Sequence, residues 1–202
     1  MTRSDRGVGA AKARLFRQMH LGPDLLVIAN AWDAGSARVF EAAGIRAVGT
    51  GSAGVAFSHG FVDDEDIPRD VMLRAIAEMV AAVDVPVTAD ILAGMGGSVD
   101  AVVVTVKEVI ALGAAGVNIE DSTEVGGAHL LDIEYQTEKI RAVCAAVEAS
   151  GVPIVVTRAP TPTGSSSATR RNGCERASNA RTATATPART ACSFQALPTG
   201  RR

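Results

Sequence analysis

Two stretches, Val85-Pro86-Val87-Thr88-Ala89-Asp90 and Ala115-Gly116-Val117-Asn118-Ile119-Glu120-Asp121, decide how this chain folds. Each is a short apolar run that closes on acid, and between them Val99–Leu112 carries apolar residues at helical spacing. Runs of that length bounded by turn residues read as buried strands, and the longer periodic stretch reads as a helix. Strand, helix, strand in this order means two parallel strands joined by a right-handed crossover, because parallel neighbours need a long connection.

The rhythm repeats on both sides. Further apolar runs lie at Leu25–Ala29, Ala47–Thr50 and Ile154–Val156, and further helical patterns at Ala34–Ala43, Arg69–Val83 and Ile133–Ala149. An opening helix over Ala10–His20 precedes the first run. Pro68 and Asp70 suit the entry of one helix, while Gly44, Gly113 and Gly151 follow three others where a left-handed residue ends a helix. The class is α/β, with five strands and four crossover helices. A closed (β/α) barrel needs eight of each, so residues 1–156 read as an incomplete TIM-type barrel. By periodicity alone a five-stranded open, doubly wound sheet fits equally well.

Composition agrees up to a point near Thr157. Apolar residues are 47% of the 202 and aromatics only 3%, so the core must be aliphatic, as in a buried parallel sheet. Residues 1–156 carry 12 Lys+Arg against 21 Asp+Glu, a balance of −9. Residues 157–202 carry 8 Arg against the single acid Glu175, with nine Thr and only Phe194 and Leu197 as large apolar side chains. Such a composition cannot fill a core, so 157–202 reads as an irregular, low-complexity tail. The overall net charge of −2 gives no reason to expect a nucleic-acid partner, although the eight Arg prompt a weaker reading of the tail as a nucleic-acid binder. No signal-like or membrane-spanning apolar stretch is present, and Cys144, Cys174 and Cys192 have neither metal-ligand spacing nor an even disulfide count. A cytoplasmic protein is expected, with no membrane partner.

In either architecture the site lies beyond the carboxyl ends of the strands. Those ends are polar: Asn30-Ala31-Trp32-Asp33, Gly51-Ser52-Ala53-Gly54, Thr88-Ala89-Asp90, Asn118-Ile119-Glu120-Asp121 and Thr157-Arg158. Asp90 and Glu120 follow consecutive strands and should be neighbours. Two adjacent carboxylates repel unless one takes a proton or a cation sits between them. With oxygen donors and no nearby His or Cys, that cation would be Mg²⁺ or Mn²⁺. Asp90 and Asp121 also fit the plainer role of turn or helix caps. Gly49–Gly54 could offer backbone N–H groups and a hydroxyl to an anion, or simply turn the chain. The acidic run Asp63–Asp66 reads as a solvated loop from which one acid could reach the pocket. His20, His59 and His129 are isolated and read as structural or surface residues, and Cys144 as packing.

Several of these motifs, in order, resemble the isocitrate lyase / phosphoenolpyruvate mutase superfamily. They are Leu26–Asp33 followed by Gly35–Arg38, then Val48–Gly54, Val87–Gly94, Gly116–Ser122, the Gln136, Glu138, Lys139 and Ile140 set, and Gly151–Val156. The resemblance covers roughly residues 13–156 and selects the barrel. It implies an enzyme, often homo-tetrameric, that binds Mg²⁺ and a small 2-oxo or 2-hydroxy acid and makes or breaks a C–C or C–P bond beside an enolate-like fragment. By position it implies Asp90 and Glu120 as metal-site acids, Ser52 and Ala53 as the carboxylate-binding loop, Asn118 as a substrate-side residue, and Asp63 as an acid of the gating loop. Asp90 and Asp63 are the implied catalytic acids.

The departures are informative. Relatives usually have Glu at the place of Leu92, an aromatic at Met95 and a second Ser at Gly51. The loop Ser122–His129 lacks the Cys of the isocitrate and methylisocitrate lyase branches, which points toward the phosphonomutase-like and oxaloacetate-processing ones. At strand five the family reads Asn-Ala-Arg-Thr-Asp, its Arg contacting substrate, whereas this chain reads Thr157-Arg158-Ala159-Pro160-Thr161-Pro162. One codon choice for Asn-Ala-Arg-Thr-Asp-Thr, with an A lost from its first codon, translates as Thr-Arg-Ala-Pro-Thr-Pro. A single-nucleotide frameshift near residue 157 is therefore expected, and with it an alternative reading of the chain as a non-catalytic fragment. Arg158 does not restore the family's Arg, because one residue along a strand moves a side chain to the opposite face. Nucleotide sequencing across codon 157 tests the frameshift: one nucleotide restored should open a frame reading Asn-Ala-Arg-Thr-Asp, and an unbroken alternative-free frame would mean a divergent tail instead.

Overall fold

A computed structural model describes residues 3–63, 66–123 and 129–159. The tail from residue 160 onward lies outside them, and so do the expectations placed on it. Within them, β1 (Ala29–Ala31), β2 (Val48–Thr50), β3 (Val87–Asp90), β4 (Gly116–Glu120) and β7 (Val155–Ala159) form one parallel sheet in the order β1-β2-β3-β4-β7. Spatial order equal to chain order means that every right-handed crossover puts its helix on the same face. A doubly wound sheet would instead reverse direction at a switch point. This is the wall of a barrel, and the open-sheet alternative falls.

The helices are α1 (Arg3–Leu21), α2 (Ala34–Ala42), α3 (Ser52–Ser58), α4 (Arg69–Ala82), α5 (Val99–Leu112) and α6 (Ile133–Ser150). A short antiparallel pair, β5 (Ser122–Thr123) with β6 (His129–Leu130), follows β4. Helix ends follow from local chemistry. The side chains of Asp33, Ser98 and Asp132 accept N–H groups of the first turns of α2, α5 and α6. Gly113 and Gly151 end α5 and α6 at φ 91° and 69°, the left-handed geometry that glycine adopts without penalty.

The two faces of the sheet are built differently. Val48, Val87, Ala89, Val117, Ile119 and Val156 share one face and are buried with Ile76, Met79, Val102, Val106 and Val109 from the crossover helices. The other face is lined by small or polar residues, including Gly49, Thr88 and Gly116, and α1 reaches it through the fully buried Phe16. No helix among the described residues is long and apolar enough to cross a membrane.

Three expectations need correction. The first strand is Ala29–Ala31, not Leu25–Ala29, because pairing with β2 begins only at Ala29↔Val48; Leu25 is 90% exposed. The last strand continues beyond Val156 through Ala159, so the change of composition near Thr157 falls inside β7. Gly49–Gly54 is not a loop but the end of β2 followed by α3.

Gly116 sits where the wall meets its plug. A Cβ there would come 2.7 Å from Phe16 Cε1, 2.8 Å from Thr88 Oγ1 and 3.0 Å from the Val155 carbonyl, whereas one at Gly97 meets nothing within 4 Å. Gly116→Ala should therefore cost roughly 1–3 kcal/mol of overpacking, and Gly97→Ala far less. Urea unfolding of both variants checks this, and equal midpoints would contradict the packing described.

Candidate active site

The polar strand ends do converge. Asp90, Asn118 and Thr157 are partners in register across β3, β4 and β7. Glu120 lies two places beyond Asn118 on β4 and therefore on the same face, since side chains alternate along a strand. The N–H of Asp90 donates to Thr50 Oγ1 at 2.8 Å, which ties β3 to the end of β2, two residues before Ser52.

Burial raises the Asp90 carboxyl above the ordinary 3.8, and hydrogen bonds from the Leu92 and Ser52 backbone N–H groups, the Ser52 hydroxyl and the Asn118 side chain pull against that rise. Three sequence-predicted residues, Asp90, Ser52 and Asn118, thus form one cluster at the carboxyl ends of three strands. All the donors on Asp90 here are neutral, so they moderate the cost of burying the charge without cancelling it.

The bend after β3 joins this cluster to Glu120. Leu92 takes φ 53° and Met95 φ 57°, both left-handed, which costs a non-glycine residue about 1–3 kcal/mol each. In exchange the Leu92 N–H reaches Asp90 Oδ1 at 3.2 Å, and the Leu92 carbonyl accepts the Glu120 N–H at 2.8 Å. One residue's peptide groups thereby serve both acids.

Other expected residues resolve differently. Ala53 is in the first turn of α3, beside Ser52. Gly49, Gly51 and Gly54 allow close approach: added Cβ atoms would lie 2.7 Å from Asn30 Oδ1, 3.3 Å from Asn30 Cβ and 2.8 Å from Trp32 Cβ respectively. Asp63 is exposed between α3 and α4. Asp33 is a helix cap, its carboxyl held low chiefly by the Ser36 N–H. The ring of His20 meets the Phe16 carbonyl and that of His59 the Val55 carbonyl, both structural roles. Arg158 is exposed and in register with Ile119, on the helix-covered face, as one place of strand offset requires.

Sequence reasoning assigned no role to Lys139 and Gln136 of α6. Both are buried, and both donate to the Glu120 carbonyl, at 3.3 and 3.2 Å. The signal was present: Gln136 and Lys139 stand on the same stripe as Val143 and Val147, where a polar side chain needs a partner.

The site's donors are oxygens from Asp90, Glu120, Asn118 and Ser52. Among the described residues no three of His, Cys, Asp and Glu come together. Two carboxylates with neutral oxygens around them fit Mg²⁺, which keeps several waters and needs few protein ligands, and do not fit zinc. Two cavities, of about 430 and 360 Å³, lie at the opposite ends of the strands, lined by residues such as Lys107 and Val152 or Leu26 and Ile45, and touch none of these acids.

The chain belongs to the phosphoenolpyruvate phosphomutase family, whose sequence model matches residues 16–187. A crystal structure of a phosphonomutase candidate from Burkholderia cenocepacia J2315 superposes with TM-score 0.70 at 38% identity, over 74% of this chain and 60% of that one. An uncharacterised protein of Mycobacterium tuberculosis is 34% identical over 128 residues, 63% of this chain and 47% of its own length. The 2-methylisocitrate lyase of Bacillus subtilis is 29% identical over 134 residues, 63% of this chain and 44% of its own length. The chain spans about half the length of the curated relatives it matches.

The raised Asp90 carboxyl has a consequence for stability. The folded state holds the proton more tightly than the unfolded chain, so stability is greatest below the unfolded value of 3.8 and falls as pH rises toward the folded one. In chelator, Asp90→Asn should remove that fall and be the more stable form above the window. Urea midpoints of both proteins from about pH 4 to about pH 8 check this; wild-type stability rising relative to Asp90→Asn across the window would contradict it.

Proposed function

We propose that the full-length protein is an Mg²⁺-dependent lyase or phosphonomutase-like enzyme acting on the C–C or C–P bond of a small 2-oxo or 2-hydroxy acid. The observation that carries this reading is the strand-end cluster of Asp90, Ser52 and Asn118, with Glu120 on the same face of the adjoining strand. Family membership supports an enzyme for the protein with its reading frame intact.

Asp90 and Glu120 would hold Mg²⁺ (or Mn²⁺). When bound, the cation supplies electrostatic stabilisation for negative charge developing on an enolate-like fragment. The chain's own groups do the rest. Asn118 and the Leu92 N–H orient the Asp90 carboxylate, Ser52 and Ala53 meet the substrate carboxylate, and Asp63 approaches from the segment after α3. Ser52 is engaged with Asp90 in this structure, so binding substrate would redirect its hydroxyl. The substrate-orienting Arg belongs to the end of the fifth sheet strand, where Arg158 faces the other way. A frameshift near residue 157 accounts for that displacement and for the reversal of charge beyond it. The native assembly is a cytoplasmic homo-tetramer, with no nucleic-acid or membrane partner.

The assay follows release of product from oxaloacetate, phosphonopyruvate and methylisocitrate. A protein with the frame restored after residue 156 should turn over one of them, lose activity in chelator and regain it with Mg²⁺ or Mn²⁺. Asp90→Ala should abolish turnover with the fold intact, and the 202-residue chain should show none. Full activity in excess chelator would remove the metal role, and robust turnover by the 202-residue chain would remove the frameshift account.

A further inference from the structure

Lys139 is fully buried, on α6, a rare position for a lysine and a costly one unless the ammonium is well partnered. Its Nζ donates to the Ala93 carbonyl at 2.8 Å and to the Glu120 carbonyl at 3.3 Å, with the Tyr135 ring centroid 5.8 Å away. These carbonyls belong to different elements. Ala93 is in the bend after β3 that carries Asp90 and Leu92, and Glu120 is the last residue of β4. A methionine would fill the same space, but only a compact group with several donors can reach both carbonyls at once.

We propose that Lys139 is a positioning residue for the acid pair: from α6 its ammonium fastens the bend after β3 to the end of β4 and so sets the placement of Asp90 relative to Glu120. The surrounding bonds lead to the same conclusion. Ile91 N–H donates to the Asn118 carbonyl at 3.1 Å, Gly94 N–H to the Ile91 carbonyl at 2.8 Å, and Glu120 N–H to the Leu92 carbonyl at 2.8 Å. These bonds occupy peptide groups of Ile91, Leu92 and Gly94, and the Ala93 carbonyl between them accepts from Lys139. A left-handed Leu92 persists only where its neighbours over-determine it, and Lys139 supplies the constraint from outside the sheet. That the pair so placed holds a divalent cation rests on the function proposed above; that Lys139 places it does not.

The test is residue-resolved amide exchange on the 202-residue chain and its Lys139→Met and Lys139→Arg variants. The amides to follow are Leu92 and Glu120 at the bend, against Val48 and Ala115, which bond to the Pro86 and Val87 carbonyls at the far end of the sheet. Lys139→Met should speed exchange at Leu92 and Glu120 about tenfold or more while Val48 and Ala115 stay within about twofold, and Lys139→Arg should recover part of the protection. Where the wild type binds Mn²⁺, Lys139→Met should weaken that binding about 10–100-fold, the usual cost of losing a group that orients metal ligands. Should Lys139→Met fail to fold, Lys139→Gln carries the same comparison. Exchange unchanged at the bend, or raised equally at all four amides, overturns the proposal. A wild type that binds no Mn²⁺ yet loosens locally in the variant supports Lys139's role and overturns the metal reading instead.

Discussion

Everything at the site depends on the bend after β3, and the bend depends on one residue held where its backbone prefers not to be. Leu92 at φ 53° turns its N–H back to Asp90 Oδ1 and its carbonyl across to the Glu120 N–H. In a relaxed extended conformation β3 would run on, and these two groups would diverge. The strain of about 1–3 kcal/mol is offset by the hydrogen bonds it permits. Buried polar groups are expensive when unpaired, so the bend is far more stable with its partners than without them.

The barrel wall supplies the frame for that bend. Five parallel strands in chain order bring consecutive strand ends side by side, so acids separated by 30 positions in sequence become neighbours on one face. The other face keeps its aliphatic residues under the helices and has no part in the chemistry. This division explains why Arg158 cannot serve the site even though it lies in the strand that borders it: its register partner is Ile119, a residue of the helix-covered face. It also accommodates Gly49 and Gly51 at the end of β2, which admit Asn30 of β1, while Gly54 in α3 admits Trp32.

Most of the wall was legible in the sequence, and the exceptions have physical reasons. Val99–Leu112 matched α5 at both ends because Ser98 caps it and Gly113 stops it, two local signals that owe nothing to the rest of the fold. The first strand was misplaced because Leu25–Ile28 is apolar yet precedes the point where β2 offers a ladder partner. The helix α3 went unread: it is seven residues long with Gly54 inside it, too short for a period and poor in propensity. The pair β5–β6 is shorter still. Within the site, Asp90, Ser52, Asn118 and Glu120 were readable as strand-end residues. Leu92 was not, since what it contributes is a backbone angle; Lys139 was readable as a polar residue on the buried stripe of α6, but not which strand ends partner it. Asp63 is placed on the segment expected of it, between α3 and α4, and is exposed there.

Whether Asp90 and Glu120 share a divalent cation is read from Mn²⁺ binding to the 202-residue chain, followed by electron paramagnetic resonance. Saturable binding is expected, displaced by Mg²⁺, abolished by Asp90→Asn and weakened by Glu120→Gln, with each variant still folded by circular dichroism. Binding undiminished in folded Asp90→Asn, or no binding by the wild type, would contradict a shared cation.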